Sequence, residues 1–239
     1  MNRYFTFSHN MKPFVLFSTE HLLALGVIFL MALGIWASRD KFRRLKNENR
    51  LRIFIGLFMM IQEISLHVWR VTEGTWNVST SIPLHVCSVL IWTIPILLFT
   101  KSEKLFNFLF LLGIASSFNA LLTPDMEGYG FPNYKFYQYF ISHGLIFLSL
   151  LYMTFVHDMK PKISSIKSTM IFLNLMLPFV MIVNYFTNGN YMFLASKPAG
   201  GSIIDFFGPW PIYIIPVEFL AILMMYIVYI IFKDKRVKS

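Results

Sequence analysis

Cys87 is the only cysteine of a 239-residue chain, and it lies near the start of the apolar run Ile82 to Phe99, two residues after His85. A thiolate is a nucleophile, and imidazole is the side chain most often used as a base to generate one. These two are poorly placed for each other. At 3.6 residues per helical turn, side chains two positions apart point about 200° apart, so a base for Cys87 must come from another segment. His143, in the stretch ISHGL, is the natural candidate, and Gly144 beside it permits close approach of a helix or an acyl chain. Glu63 and His67 are four apart and share a helix face, where a carboxylate orients an imidazole or joins two helices. The plainer roles are a cysteine packed as a small hydrophobe and a histidine bridging helices. The elements carrying these residues decide between packing and chemistry.

Those elements belong in a bilayer. With 56% hydrophobic and 14% charged residues, the chain has too much apolar surface and too few charges for a soluble domain. A membrane crossing needs about 20 apolar residues. The hydropathy predicts an all-α, polytopic bundle in a single membrane domain, with seven spans near residues 19–37, 53–71, 82–99, 105–122, 136–156, 169–187 and 210–232. A lone cysteine excludes an internal disulfide and a thiolate zinc cluster. The net charge of +9 does not imply nucleic acid, because the cations fall in short loops between apolar runs. Seven follow the first span (Arg39, Lys41, Arg43, Arg44, Lys46, Arg50, Arg52), whereas a signal peptide carries its positive charge in front. Lys101, Lys104, Lys160, Lys162, Lys167, Lys233, Lys235, Arg236 and Lys238 join them on one side. Only Arg3, Lys12, Arg70, Lys135 and Lys197 fall on the other. Sixteen cations against five predict an outside N-terminus and an inside C-terminus in the cell membrane.

With that orientation, each polar residue has an expected depth. At about 1.5 Å of rise per residue, Glu63 lies about 12 Å and His67 about 6 Å below the outer end of their span, and His85 and Cys87 lie roughly 5 to 8 Å down. His143 and Glu218 lie roughly 10 to 12 Å down, with Asn119 and Asn184 close to the outer ends of their spans. The ionisable residues within spans all fall in the outer half. Independent helix-joining contacts have no reason to prefer one leaflet, so the asymmetry predicts a shared polar cavity open to the outer leaflet. Pro83, Pro95, Pro178 and Pro216 are expected inside spans, and the outer loops LTPDMEGYGFPNY and TNGNYMFLASKPAGGSIIDFFGP are expected as turns and interfacial pieces over that cavity.

Five separated stretches, PLHVC, LLTPD, FISHGL, NYMFL and DFFGPWPIY, resemble the YwaF family of bacterial integral membrane proteins over nearly the whole chain. That family is similar to a eukaryotic group of ether-phospholipid acyltransferases in which a cysteine and a histidine are essential. Cys87 and His143 occupy the matching motifs. More distant kin hydrolyse branched fatty acid esters with a threonine at the cysteine position. The resemblance implies acyl-ester chemistry on membrane lipids without a cofactor. Cys87 would be the nucleophile and His143 the base, with His85, Asn119 or Asn184 donating to the oxyanion and Glu63 and His67 as support. Asp125 and Asp205 would bind a headgroup or orient a histidine. Two other expectations stand beside it. One is a transporter or lipid-handling protein using Glu63, His67, His143 and Glu218, although no inverted repeat is visible. The other is a metal site from His67, His85, His143 and Glu63, for which no compact ligand spacing exists.

Overall fold

The computed structural model describes residues 4–6, 13–198 and 203–234. Arg3, Lys12, Lys235, Arg236 and Lys238 of the charge count lie outside the described residues. Eight α-helices are present among the described residues, and no strand: α1 Thr19–Ala37, α2 Arg39–Arg43, α3 Glu48–Thr72, α4 Val86–Thr100, α5 Glu103–Leu122, α6 Tyr134–Val156, α7 Ser164–Thr187 and α8 Ile214–Phe232. Short 3₁₀ turns at Tyr191–Phe193 and Ile203–Phe207 occupy the connection between α7 and α8. Six helices, all but α2 and α4, are long and apolar enough to cross a membrane. The protein is a helical integral membrane protein.

Local chemistry sets the helix ends. Ser18 and Ser102 cap α1 and α5, their hydroxyls accepting from His21 N and Leu105 N at 3.4 and 3.3 Å. Asn133 caps α6 by accepting from Lys135 N at 2.9 Å. Helices α3 and α7 begin earlier than hydropathy suggests, at Glu48 and Ser164, because polar first turns extend each helix beyond its apolar stretch. Helix α8 starts later, at Ile214, after a turn through Pro209 to Tyr213. Pro95 and Pro178 lie inside helices and Pro216 in the first turn of α8, whereas Pro83 precedes α4.

The bundle is built around α4, α5 and α6. Of the most apolar window, 50% is buried in α5 and 67% in α6, against 11% in each of α1, α7 and α8. The outer three therefore leave their apolar faces to lipid. Close approach at the centre depends on glycine. A Cβ on Gly113 would meet Leu150 Cδ1 at 2.4 Å, which lets α5 lie against α6, and one on Gly56 would meet Phe99 Cε1 at 2.5 Å between α3 and α4.

One end of the bundle is basic and self-contained. Glu48 Oε1 accepts from Arg52 Nε (3.0 Å) and Tyr152 Oη (3.0 Å), and contacts His157 Nε2 at 2.8 Å. Arg52 also donates to the carbonyls of Leu98 and Phe99, the last turn of α4. Arg43 donates to Phe155 and Val156 at the end of α6. Cations here satisfy the orphan carbonyls of two helix C-termini.

Candidate functional site

At the opposite end the chain enters α4 through a bent, non-helical segment that turns extended at His85. Residues 82–85 are non-helical, so α4 has 15 residues rather than the longer span expected at 82–99. Backbone freed in this way must find partners inside the protein, and the connection after α7 supplies them. Tyr191, fully buried, accepts from Ile82 N at 2.9 Å through its hydroxyl, which in turn donates to Val78 O at 2.6 Å. Met192 N donates to His85 Nδ1 at 3.3 Å, and the rings of Tyr191 and Phe193 flank the imidazole. Met192 and Phe193 hold positive φ angles of 56° and 55°, strain that persists only where surrounding contacts enforce it. Asn184 supplies that enforcement. Its amide donates to Tyr191 O (3.0 Å) and accepts from Tyr191 N (2.8 Å). Asn184 thus clasps this loop with both ends of its amide engaged.

This entry places Cys87 in the first turn of α4, half-buried against the main core. The Ser116 hydroxyl of α5 is the polar neighbour of its thiol, and the Tyr139 phenol of α6 is close enough to interact with it electrostatically. Tyr139 donates to Ala120 O at 3.1 Å. Its ring lies 4.1 Å from that of His143, one turn along α6. His143 Nδ1 is 2.8 Å from Tyr139 O. A carbonyl only accepts, so Nδ1 carries the proton and Nε2 presents a lone pair. No hydrogen bond joins Cys87 to His143; Tyr139 packs on His143 and lies within electrostatic reach of Cys87. Gly144 serves helix packing, its Cβ position lying 3.2 Å from Ile28 of α1.

Above this group, toward the loops, two buried cations converge on one carboxylate. Arg70 and Lys135 are 7% and 5% exposed. Arg70 Nη2 contacts both oxygens of Glu127 at 2.9 and 3.1 Å, and Lys135 Nζ contacts Oε1 at 3.2 Å. The Glu127 side chain itself is 49% exposed. Partial burial on its own would raise the Glu127 pKa, but Lys135 and Arg70 outweigh it and hold the carboxyl below the ordinary value. Lys135, Tyr139 and His143 stand four residues apart on one face of α6, a column about 12 Å long.

The TMEM164 family model matches residues 16–229. The chain belongs to the TMEM164 family. No curated protein and no solved structure matches it.

The remaining candidate residues of this TMEM164-family chain are dispersed. Glu63 is buried beside His67, with 3.9 Å between Oε1 and Nε2, while His67 Nδ1 accepts from Trp76 Nε1 at 3.3 Å. Asn119 is exposed on α5. Asp125 lies in the α5–α6 loop, where Oδ1 accepts from Glu127 N at 3.3 Å, and Asp205 lies in the second 3₁₀ turn, where Lys197 donates to its carbonyl. Glu218 is half-buried in α8. Among the described residues, no three His, Cys, Asp or Glu side chains gather closely enough to hold a metal ion. The set His67, His85, His143 and Glu63 therefore does not assemble into one.

Sequence reasoning passed over Ser116 and Tyr139, and it treated Arg70 and Lys135 only as loop charges. The spacing of Lys135, Tyr139 and His143 was the available signal, since residues four apart share a helix face. Nothing local links Arg70 to Glu127, which is 57 residues away.

Proposed function

We propose that this TMEM164-family protein is an acyltransferase or lipid ester hydrolase of the cell membrane. It crosses the bilayer seven times with its N-terminus outside, α4 completing its crossing through the non-helical segment before it. The supporting observation for this orientation is the segregation of cations: thirteen described Lys and Arg lie at the Glu48 end and three at the Cys87 end.

The observations that support the chemical reading are the Tyr139 ring packed 4.1 Å from that of His143, the Tyr139 phenol within electrostatic reach of Cys87, and the Ser116 hydroxyl beside the thiol. His143 Nε2, with Nδ1 tied to Tyr139 O, accepts the thiol proton, directly or through an intervening hydroxyl. The thiolate attacks the ester carbonyl of an outer-leaflet lipid. The carbon–oxygen ester bond breaks, the released alkoxide takes the proton from His143, and the acyl group remains as a thioester. A lysolipid hydroxyl or water then attacks the thioester, passing its proton through His143 to the departing thiolate, and the free cysteine returns. The Ser116 hydroxyl, the polar neighbour of the thiol, would donate to the oxyanion. Glu63 and His67 sit on α3, outside this group, paired with each other and tied through His67 to Trp76 in the following loop.

The test is direct. Purified protein incubated with a labelled phospholipid acquires a hydroxylamine-labile acyl adduct on Cys87, seen by mass spectrometry. Cys87→Ala removes the adduct, and His143→Ala abolishes its formation without preventing membrane insertion. A Cys87→Ala protein that still transfers acyl chains would sink the thioester mechanism. A protein never acylated under any lipid would instead favour the transport or lipid-handling reading.

A further inference from the structure

Two buried cations from different helices share one carboxylate, and that carboxylate is half exposed at the tip of a loop turn. Arg70, Lys135 and Glu127 by themselves sum to one positive charge, with Glu63 of α3 the further carboxylate within electrostatic reach of both cations. The parts of the cluster are also unequally held. Arg70 Nη1 donates to Thr80 O (2.9 Å) and Ser81 Oγ (3.1 Å), so the guanidinium keeps its orientation whether or not Glu127 is present. Among the described residues, Glu127 is the hydrogen-bond partner of the Lys135 ammonium, which has three donors to offer. Among the described residues the Glu127 carboxylate accepts hydrogen bonds from those two cations, while its backbone N–H donates to Asp125 Oδ1 at 3.3 Å. Glu127 sits at a backbone φ of 52°, followed by Gly128 at 81°, on a loop whose carboxylate reaches inward from solvent. The fork of an arginine beside a lysine point charge is the side-chain pair suited to a tetrahedral oxyanion.

We infer that Arg70 and Lys135 form a binding site for a phosphate group, and that Glu127 is a resident counter-ion which the phosphate displaces. This rests on the acyl-transfer reading in one respect. Lys135 stands one turn above Tyr139 and two above His143 on the same face of α6. A glycerophospholipid whose phosphate sits at Arg70 and Lys135 therefore extends its ester carbonyls down the column toward Cys87. The phosphate comes from a lipid headgroup or from a free anion, and the experiment separates these sources.

The full chain carrying Cys87→Ala, in detergent, removes turnover from the measurement. Binding is read by native mass spectrometry with a short-chain phosphatidylglycerol, with the matching diacylglycerol that lacks phosphate, and with inorganic phosphate alone. Arg70→Gln and Lys135→Gln each weaken phosphatidylglycerol binding roughly tenfold or more, the worth of one charge-assisted hydrogen bond, while diacylglycerol binding is unchanged. Glu127→Gln tightens phosphatidylglycerol binding severalfold. That gain is the decisive readout, because a purely structural ion pair gives none when one partner is removed. Should Arg70→Gln fail to fold, Lys135→Gln and Glu127→Gln still decide the matter. Inorganic phosphate that binds with the same dependence on the three residues, and displaces the lipid, supports the site and assigns it to the free anion as well. Loss or constancy of lipid binding in Glu127→Gln overturns the proposal. Cys87 acylation from a phosphate-free ester, measured on the parent protein, reports separately on the acyl chemistry, so either idea can fail alone.

Discussion

Both ends of the bundle bury polar groups, and they use them differently. At the basic end, Glu48 accepts from Arg52 and Tyr152 and pairs with His157, while Arg52 and Arg43 close off the carbonyls of α4 and α6. The donors and acceptors there satisfy one another, as a structural network must in a low-dielectric interior. At the Cys87 end capacity is left over. His143 has one nitrogen tied to a carbonyl and the other available, Lys135 has donors beyond its contact with Glu127, and Glu127 is half exposed. Polar groups in a membrane protein are thus read better by what they have left to bind than by their charge or depth.

The contrast can be broken by mutation. The largest expected effect is at the open end: His143→Gln lowers the rate of Cys87 acylation by about 10²- to 10⁴-fold, the usual contribution of a positioned base. The same variant unfolds at an unchanged temperature, because its single hydrogen bond is local. Next comes the closed end. Arg52→Met removes one of three partners of the Glu48 carboxylate and uncaps α4, at a cost of roughly 3 kcal/mol for a lost charge-assisted hydrogen bond and carbonyls left without a donor. Thermal unfolding in detergent measures it, and acylation per folded molecule stays near the parent value. If Arg52→Met instead abolished acylation in folded protein, the division between the two ends would be wrong.

Two smaller effects sharpen the comparison. Gly113→Leu drives a side chain into Leu150 between α5 and α6, costing about 1–3 kcal/mol as overpacking and slowing acylation by shifting Ser116 relative to Cys87. The smallest effect is a pH dependence. The folded-state pKa of Glu127 is depressed, so its contribution to stability is fully present above the ordinary carboxylate value of about 4.3. It is lost as pH falls through the lower folded value. Because the group is half exposed, the contribution is that of a screened pair, below about 1 kcal/mol. Unfolding midpoints taken between neutral and acid pH show it as a slope that Glu127→Gln removes; an identical slope in the variant would assign it to other carboxylates.

Several features could be read without coordinates. The apolar runs required membrane helices, since so much hydrophobic surface has no aqueous solution, and Cys87 and His143 stood out as reactive groups in such runs. Cys87 and His85 were expected not to be partners, and in the structure His85 engages the loop at Met192 while Cys87 faces Ser116 and Tyr139. Asn184 read as a possible oxyanion donor because an asparagine near a helix end shows nothing of its partners; its engagement with Tyr191 is a property of the folded loop. Glu48 shows nothing of its role in the sequence because it lies outside the apolar stretch, although α3 begins with it.

By itself, the order of residues determined that this protein is helical and membrane-embedded, and which side chains are of a reactive chemical type, because hydropathy and chemical type are local properties. Only the tertiary structure decided which of them meet. Whether Arg70, Glu127 and Lys135 share a niche, or Tyr139 packs on His143 within electrostatic reach of Cys87, depends on helix rotations and loop paths. Those are set by packing between segments far apart in the chain, such as Gly113 against Leu150, and no single segment contains them.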